Sequence, residues 1–455
     1  MPSQTPIEDD VLVERSLRSA RETRALLIDT GVLRRVPDVF ASQFGQTAAI
    51  VVADANTFEA AGRDVHDSFR GAAHQLETPF VFSGRSIYAE WQYVEQLEKT
   101  LASCGAIPVA VGAGTINDLV KLVSHRLGRP YMVVATAASM DGYTAYGASI
   151  TFRGSKQTFE CPAPRAVVAD LNVIAAAPDG LNASGYADLL AKVAAGADWL
   201  LADAAGAEAL IPEVWNMVQA PLRRWVEDPS GVRERQPLAL RRLLNGLLVS
   251  GFAMQAARSS RPASGAEHQF SHLWDMQRHE HLGAPPSHGF KVGIGTLASL
   301  SLYQELLALE DLPCAADGWP PLEVLESEVR RAFGDPNLVE VALQETRAKY
   351  VPPGQLRHQI ERLRTGWRQL RARLAEQLLP LQQARNMLRQ AGCPSSPGEI
   401  GISRQRLRAS FRLAWFIRRR FTVLDLAVRT GLLELALDRM FGPGGAWDRA
   451  GGGAQ

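Results

Sequence analysis

The stretch AIPVAVGAGTIND, residues 106–118, decides the fold class that the sequence predicts. Its first part, 106–112, is a short apolar run that ends on glycine, which is the pattern of a buried β-strand. The chain continues as GAGTINDLVKLVSHRLG (112–128), where small residues precede a segment with helical apolar spacing. A strand, a glycine turn and a helix in this order form the basic unit of an α/β protein.

Similar signals surround this unit. Strand signals recur in TAAIVVAD (47–54), PYMVVAT (130–136) and RAVVADL (165–171), and helical spacing recurs in 11–32 and in AEWQYVEQLEKTLASCG (89–105). Their alternation predicts a mostly parallel sheet. After about Pro178 the strand signals disappear, and apolar residues recur three or four positions apart. We therefore predict an α/β domain (1–178), an all-helical domain (179–441) and a disordered glycine-rich tail (442–455).

Composition and charge exclude several classes of protein. The chain has 455 residues, 46% of them hydrophobic, so a single small module is excluded. Its 49 basic and 48 acidic side chains give a net charge of +1, which argues against nucleic acid or an anionic membrane as a partner. The four cysteines form no CxxC pair, and no apolar run approaches the roughly 18 residues of a membrane span. These features predict a cytoplasmic protein.

The glycine turn could bind a pyrophosphate, because backbone N–H groups at a helix start attract anions. Taken alone the turn is weak evidence, since short glycine turns between strand and helix are common. The usual dinucleotide fingerprint places its ribose-binding acid about 20 residues after the turn. Here Asp54 closes a strand well before the turn. A dinucleotide site in this chain would therefore differ from the one that the usual fingerprint describes.

Histidines cluster in one part of the chain. Of the 9 histidines, His268, His272, His279, His281 and His288 lie close together. If 266–276 is helical, His268 and His272 share one helix face, and His288 returns at the start of the next helix. Such imidazoles, alone or with a carboxylate, suit a catalytic divalent metal. His279 and His281 lie in a polar stretch and are expected to be exposed loop residues.

Two further segments carry charged side chains near the end of the α/β part. GYADLLAK (185–192) places Asp188 and Lys192 one helical turn apart, and this spacing alone favours a surface ion pair. ATAASMDGYTAYGAS (135–149) follows a strand and contains one acid, Asp141. Loops at the carboxyl ends of strands bind ligands in α/β proteins, although this one could be only a Ser/Thr-rich turn.

Taken in order, GTIND, TAASMDG, the ADL of GYADLLAK, EHQFSHLW and HGFKVGIG resemble the glycerol-1-phosphate dehydrogenase family, and especially its bacterial, arabinose-operon-type branch. That family lies within the superfamily of dehydroquinate synthases and iron-type alcohol dehydrogenases. The resemblance runs from about residue 40 to 300, and 404–433 is similar to the C-terminal segment of that branch. It implies a dinucleotide-binding α/β domain followed by an all-α domain that binds metal and substrate.

The resemblance also implies a role for each matched residue. For NAD or NADP, it places the adenosine ribose at Asp54, the pyrophosphate at Gly114, Thr115, Ile116, Asn117 and Asp118, and the nicotinamide at Thr136, Ala137, Ala138 and Ser139. It assigns catalysis to His272 and Asp141, substrate binding to Asp141, Asp188, His272 and Lys192, and a zinc or nickel ion to Asp188, His268 and His288. It implies a homodimer that serves phospholipid metabolism.

The implied reaction is the reversible reduction of dihydroxyacetone phosphate, a phosphorylated triose, to sn-glycerol 1-phosphate. Residue types agree with it, because ketone reduction needs positive charge near the oxygen and a proton donor. The substrate phosphate needs a cation, and Lys156, Lys192 and Lys291 are candidates among only six lysines. In one departure, Ala145 stands where the family usually has a serine that binds the cofactor.

Three other functions remain open at this point. The same metal and cofactor could oxidise an unphosphorylated polyol of the glycerol type. A dehydroquinate synthase-like lyase would use NAD only transiently. A catalytically silent scaffold is the alternative from another class, but such a protein would not need three metal ligands.

Overall fold

The computed structural model describes residues 8–84, 87–152, 155–313 and 318–448, with the backbone alone for 8, 155 and 156. Its main sheet contains six parallel strands in the order β1-β8-β5-β4-β2-β3. A second, two-stranded sheet pairs β6 and β7 in antiparallel fashion. The strands are β1 (Ala25–Asp29), β2 (Ala49–Asp54), β3 (Phe80–Phe82), β4 (Ile107–Gly112), β5 (Met132–Ala135), β6 (Ala148–Phe152), β7 (Ser155–Phe159) and β8 (Ala166–Asp170).

Helices alternate with the strands and then follow one another. Up to residue 257 they are α1 (Glu8–Ser19), α2 (Val36–Phe44), α3 (Ala55–Thr57), α4 (Arg63–Gly71), α5 (Trp91–Ala102), α6 (Gly114–Arg126), α7 (Leu171–Ala176), α8 (Asp179–Leu190), α9 (Lys192–Ala204), α10 (Pro212–Trp225), α11 (Pro229–Arg233) and α12 (Pro237–Ala257). The others are α13 (Ala266–Met276), α14 (His288–Leu307), α15 (Leu322–Ala332), α16 (Pro336–Lys349), α17 (Pro353–Gln377), α18 (Leu381–Gln390), α19 (Arg404–Phe416), α20 (Val423–Arg429) and α21 (Leu433–Phe441).

The described part of the chain has the predicted fold class, a parallel α/β sheet followed by a largely helical region. The inner strands are buried on both sides, which explains why their sequences are continuous apolar runs. On one face of the sheet, Val51, Val109 and Val134 pack in one core with Phe40 of α2 and Phe69 of α4. This core fixes where the strands end and therefore where the loops after them lie.

The strand order positions the glycine turn. The chain leaves β2 for the sheet edge at β3 and returns to β4, on the other side of β2. The direction of winding therefore reverses between these two strands. In open α/β sheets a ligand crevice forms at such a reversal, outside the carboxyl ends of the strands. Asp54 and Gly112 end these two strands.

One predicted element is wrong. The helix expected over 11–32 is only α1, and the chain then forms strand β1. β1 pairs along its whole length with β8, from Ala25 opposite Ala166 to Asp29 opposite Asp170. The apolar residues of ALLID fit either structure, and pairing with a strand far along the sequence decides the outcome.

Contacts divide the chain into two compact units. The first unit contains 1–189, 216–263 and 390–392, and the second contains 190–215, 264–389 and 393–455. Helix α12 therefore groups with the sheet, whereas α13 and α14 belong to the second unit. The functional boundary at residue 178 stays a prediction.

The chain is packed beyond residue 441, where the sequence predicts a disordered tail. Trp447 is buried, and its indole N–H donates to Ser301 Oγ at 3.0 Å. Ordered packing therefore extends into the first residues of that segment, and 449–455 lie outside the described residues. Within the described ranges, no helix is long and apolar enough to cross a membrane.

Candidate active site

The glycine turn forms the start of α6. Gly112 ends β4 and Gly114 begins the helix. A Cβ at Gly112 would lie 2.6 Å from the Cβ of Ile116, and a Cβ at Gly114 would lie 3.1 Å from Met140 Cε. Only small residues allow the backbone to turn this tightly, so the first backbone N–H groups of α6 stand at the carboxyl edge of the sheet.

The polar residues of GTIND hold the protein itself together. Asn117 is fully buried, and its Nδ2 donates to the carbonyl of Gly142 at 3.3 Å. The Tyr131 hydroxyl donates to Asn117 Oδ1 at 3.1 Å. Asp118 Oδ2 accepts the backbone N–H of Ser149 at 3.1 Å. These side chains therefore join α6 to the loop that follows β5, to the residue just before that strand and to β6.

A buried lysine organises the same loop, residues 136–147. Lys121 is 1% exposed, and its Nζ donates to the carbonyls of Gly142 at 2.8 Å, Ala145 at 2.9 Å and Gly147 at 3.1 Å. No sequence motif assigns a role to Lys121. Its scarcity as a lysine was the only signal in the sequence.

Helix α8 supports the loop from another side. Asn182 Oδ1 accepts the N–H of Ala138 at 3.0 Å, and its Nδ2 donates to Ile174 at 2.8 Å. A Cβ at Gly185 would lie only 1.8 Å from the carbonyl oxygen of Ala138. The Tyr143 hydroxyl donates to Ala137 O at 2.8 Å, and burial raises the pKa of this hydroxyl. The TAAS segment is thus fixed at its backbone.

Asp141 and Asp188 are directly linked. The backbone N–H of Asp141 donates to Asp188 Oδ2 at 3.1 Å. The Ser250 hydroxyl donates to Asp141 Oδ2 at 3.1 Å. Asp188 is fully buried near the end of α8. The two acids that the motifs single out therefore lie side by side, and Ser250 is a further contact that the sequence did not indicate.

The helix predicted over 266–276 is present as α13. Helix α13 places the rings of His268 and His272 with centroids 6.2 Å apart. His288 is the first residue of α14, where the Ser287 hydroxyl caps the helix by accepting the N–H of Phe290 at 3.3 Å. The rings of His268 and His288 are 5.3 Å apart between centroids.

Three potential metal ligands come together. Asp188, His268 and His288 each offer one ligand atom, and these atoms all lie within 4.8 Å of one another. One carboxylate oxygen and two imidazole nitrogens form a donor set that suits zinc and nickel. This set leaves positions open for other ligands, as in a catalytic site.

His279, another histidine of the cluster, packs against a later segment of the chain. His279 was expected to be exposed, but it is buried, and its Nε2 lies 2.6 Å from the carbonyl oxygen of Ile400. An Arg406 guanidinium N–H donates to His279 Nδ1 at 2.7 Å. Burial lowers the pKa of this imidazole. His279 is therefore a neutral packing residue, and the polarity of its neighbours misled the prediction.

The candidate phosphate-binding lysines are placed differently. Lys192 begins α9 and is fully buried. Lys291 is nearly buried and forms an ion pair with Asp275, so its charge already has a partner. The side chain of Lys156 lies outside the described residues. Lys192 is the candidate that belongs to a family motif, GYADLLAK, and its role stays a prediction.

Asp54 lies at the predicted strand end and also caps the next helix. Its Oδ1 accepts the N–H of Thr57 at 2.8 Å, while the Thr57 hydroxyl receives the N–H of Asp54 at 3.1 Å. One carboxylate oxygen is thereby engaged in a capping box. The side chain remains partly exposed.

Similarity to characterised proteins decides the family. The glycerol-1-phosphate dehydrogenase [NAD(P)+] of Geobacillus stearothermophilus is 31% identical over 378 residues, which cover 82% of this chain and 85% of that protein. The chain belongs to the glycerol-1-phosphate dehydrogenase family. The enzyme of the same name from Halalkalibacterium halodurans is 35% identical over 256 residues, 56% of this chain and 64% of that protein. The family resemblance of the motifs is thus confirmed.

Broader comparisons agree with this family. The family described as iron-containing alcohol dehydrogenase matches residues 27–178. A crystal structure of a probable glycerol dehydrogenase from Sinorhizobium meliloti 1021 has a TM-score of 0.59 and 18% identity, and the match covers 91% of this chain and 96% of that one. At this identity the match shows the fold alone. It is the fold expected of a glycerol-1-phosphate dehydrogenase family member.

Proposed function

We propose that this protein catalyses the reversible, NAD(P)H-linked reduction of dihydroxyacetone phosphate to sn-glycerol 1-phosphate with a divalent metal ion. The observation that carries the proposal is the grouping of Asp188, His268 and His288 in a chain whose relatives are named glycerol-1-phosphate dehydrogenase [NAD(P)+]. A carboxylate and two imidazoles at these positions agree with the motif assignment of the metal ligands. The oxidoreductase activity is inferred from these relatives.

The cofactor would lie along the carboxyl edge of the sheet. Residues 114–118 would meet the pyrophosphate through the backbone N–H groups of the first turn of α6, because the side chains of Asn117 and Asp118 bind protein groups. Asp54 would use its second carboxylate oxygen for the adenosine ribose. Thr136 to Ser139 would line the nicotinamide, supported by the Asn182 contact with Ala138.

The metal ligands fit a catalytic ion by their chemistry. Neutral imidazoles and one carboxylate leave a divalent ion with a net positive charge. When bound, zinc or nickel would polarise the substrate carbonyl while the reduced nicotinamide supplies the hydride. The Asp141 N–H holds Asp188 Oδ2 in place, so this carboxylate cannot rotate freely.

His272 and Asp141 would act on the substrate. His272 lies one helical turn from His268, and its imidazole can carry the proton that the substrate oxygen needs. Asp141 can accept a hydrogen bond from a substrate hydroxyl, and the Ser250 hydroxyl orients its carboxylate. Lys192 would contribute positive charge for the substrate phosphate. His272 lies on α13, Lys192 begins α9 and Asp141 lies in the loop 136–147.

We also propose a homodimer in the cytoplasm that supplies glycerol phosphate for phospholipid metabolism. The dimer follows the family resemblance and is tested by light scattering on the purified protein. The proposed location follows from the sequence, whose four cysteines form no CxxC pair. Fractionation of the cells that make the protein tests the location.

The test is an assay of NADH and NADPH oxidation after loading with zinc or nickel. Dihydroxyacetone phosphate should be reduced, whereas unphosphorylated dihydroxyacetone should react at least about 100-fold less efficiently because a charged contact is missing. Equal efficiency with both ketones would favour a polyol dehydrogenase. A failure to consume cofactor continuously, with phosphate released, would favour a lyase.

Metal content gives an independent test of the ligands. His268→Ala and His288→Ala should each lose the ion and the activity together, because one of three protein ligands is removed. His358→Ala is the matched control, since His358 is an exposed histidine on α17. Elemental analysis and circular dichroism measure the ion and the fold. Stoichiometric metal in both ligand variants would refute the assignment.

A further inference from the structure

Glu267 is a buried acid directly before the candidate ligand His268. Its side chain is fully buried, and its Oε1 lies 2.8 Å from His268 Nδ1. The same oxygen accepts the backbone N–H of Gly265 at 2.6 Å. A carboxylate in a protein interior requires such donors, so the Glu267 side chain has a defined orientation toward the imidazole.

The contact determines which nitrogen of His268 is available. Glu267 Oε1 already accepts the Gly265 N–H, and an oxygen in this role also accepts the proton of a neighbouring imidazole N–H, so we infer that His268 Nδ1 is the donor in this contact. In the neutral ring the lone pair is then on Nε2, the nitrogen on the other side. We propose that Glu267 is a positioning residue that fixes this tautomer and ring orientation, so that Nε2 is presented to the divalent ion. This inference rests on the metal site proposed above.

A second buried carboxylate, Asp198, fixes the start of α13 next to Glu267. Asp198 Oδ2 accepts the N–H of Ala266 at 2.7 Å, and Asp198 Oδ1 accepts the Tyr303 hydroxyl at 2.6 Å. Glu267 and Asp198 thus each accept a backbone N–H at the start of α13, from Gly265 and Ala266 respectively. A helix N-terminus stabilises such negative charge. A Cβ at Gly265 would lie 2.4 Å from Asp198 Oδ2 and 2.8 Å from Glu267 Oε2.

Close packing limits movement further. A Cβ at Gly295 of α14 would lie 2.3 Å from the backbone oxygen of Glu267. The backbones of α13 and α14 thus approach each other at this residue. Because α14 also begins with His288, the packing that fixes Glu267 involves the two helices that carry the candidate histidine ligands.

The chain offers a matched control pair. Glu280 also precedes a histidine, His281, but it is exposed. In the described ranges no hydrogen bond or ion pair joins the side chains of Glu280 and His281. A change at Glu280 therefore removes the same residue type from an identical Glu-His sequence without removing the contact.

The first measurement is zinc affinity, obtained by competition with a chromophoric chelator on the metal-free full-length protein. Glu267→Ala should bind zinc about 10- to 100-fold more weakly than the parent, the usual effect of losing such a partner. Glu267→Gln keeps an oxygen acceptor and should recover part of the affinity. Glu280→Ala should equal the parent. An affinity of Glu267→Ala within twofold of the parent would overturn the inference.

The second measurement reports the tautomer without metal. Nitrogen-15 spectra of histidine-labelled protein, with His268 assigned through His268→Gln, should show the proton on Nδ1 in the parent and a mixture in Glu267→Ala. A parent with its proton on Nε2 would refute the role of Glu267 even if zinc binds. If Glu267→Ala does not fold, Glu267→Gln replaces it in both measurements and should show the same changes to a smaller extent. A parent that shows this tautomer but binds no metal would instead refute the proposed function.

Discussion

Replacing Lys121 by methionine tests how the loop at 136–147 is held. Methionine has a similar length but cannot donate hydrogen bonds. In the described part of the chain the carbonyls of Ala145 and Gly147 accept only from Lys121, whereas the carbonyl of Gly142 also receives the Ala145 N–H at 3.3 Å. The variant therefore leaves two buried acceptors without a donor.

The cost follows from these two carbonyls. Each unsatisfied acceptor costs about 1–3 kcal/mol, and removal of a buried ammonium group returns part of this. We expect a net loss of about 2–4 kcal/mol in the local free energy of opening of the loop. Amide exchange of residues 142–149 should then accelerate roughly 30- to 1,000-fold, since 1.4 kcal/mol corresponds to a factor of ten.

Hydrogen exchange followed by mass spectrometry measures this effect. Because the loop carries Asp141, kcat/KM for the ketone should also fall by about tenfold or more. Lys99→Met is the control, since Lys99 is exposed in the last turn of α5, and it should leave both values unchanged. Exchange of 142–149 within threefold of the parent in Lys121→Met would refute the reasoning.

Three further changes have defined outcomes. Asp54→Asn keeps an acceptor for the Thr57 N–H but removes a charge, so the ratio of kcat/KM for NADPH to that for NADH should rise roughly tenfold; an unchanged ratio would exclude Asp54 from the ribose. His272→Ala should keep its metal by elemental analysis while kcat/KM falls about 100-fold or more. Burial lowers the pKa of Lys349 to about 8, and the unfolded chain keeps that proton to higher pH, so the melting temperature relative to Lys349→Met should rise between pH 8 and about 10. Calorimetry that shows a flat difference over this range would contradict the assigned pKa.

The parts predicted from sequence are those with local signals. Continuous apolar runs identified β2, β4, β5 and β8, because strands buried on both faces need such runs. Helical spacing over 266–276 agrees with α13, and His288 does begin a helix. In each case the residues that decide the structure are neighbours in the sequence, so their pattern carries the information.

The missed parts depend on distant partners. β1 is only half-buried, and its pairing with β8 joins residues about 140 positions apart. The buried state of His279 depends on the Ile400 carbonyl and on Arg406, which belong to a later segment. No local pattern distinguishes such a histidine from an exposed one, because its desolvation is compensated by groups that the fold alone brings near.

Helix α6 shows why the motif residues and the supporting residues differ in predictability. Its first turn presents free backbone N–H groups at the edge of the sheet. The tight turn before it requires glycines, and these are visible in the sequence. One and two turns later, Asn117 and Lys121 bind the loop that carries Asp141, and Asp118 binds the N–H of Ser149 in β6. Since Asp141 in turn binds Asp188 through its N–H, a displacement of α6 would reach both the proposed cofactor edge and a candidate metal ligand. The polar half of GTIND therefore couples the position of the glycine turn to that of the acids. A change at Asn117 should affect substrate turnover because its buried side chain binds Gly142 and Tyr131.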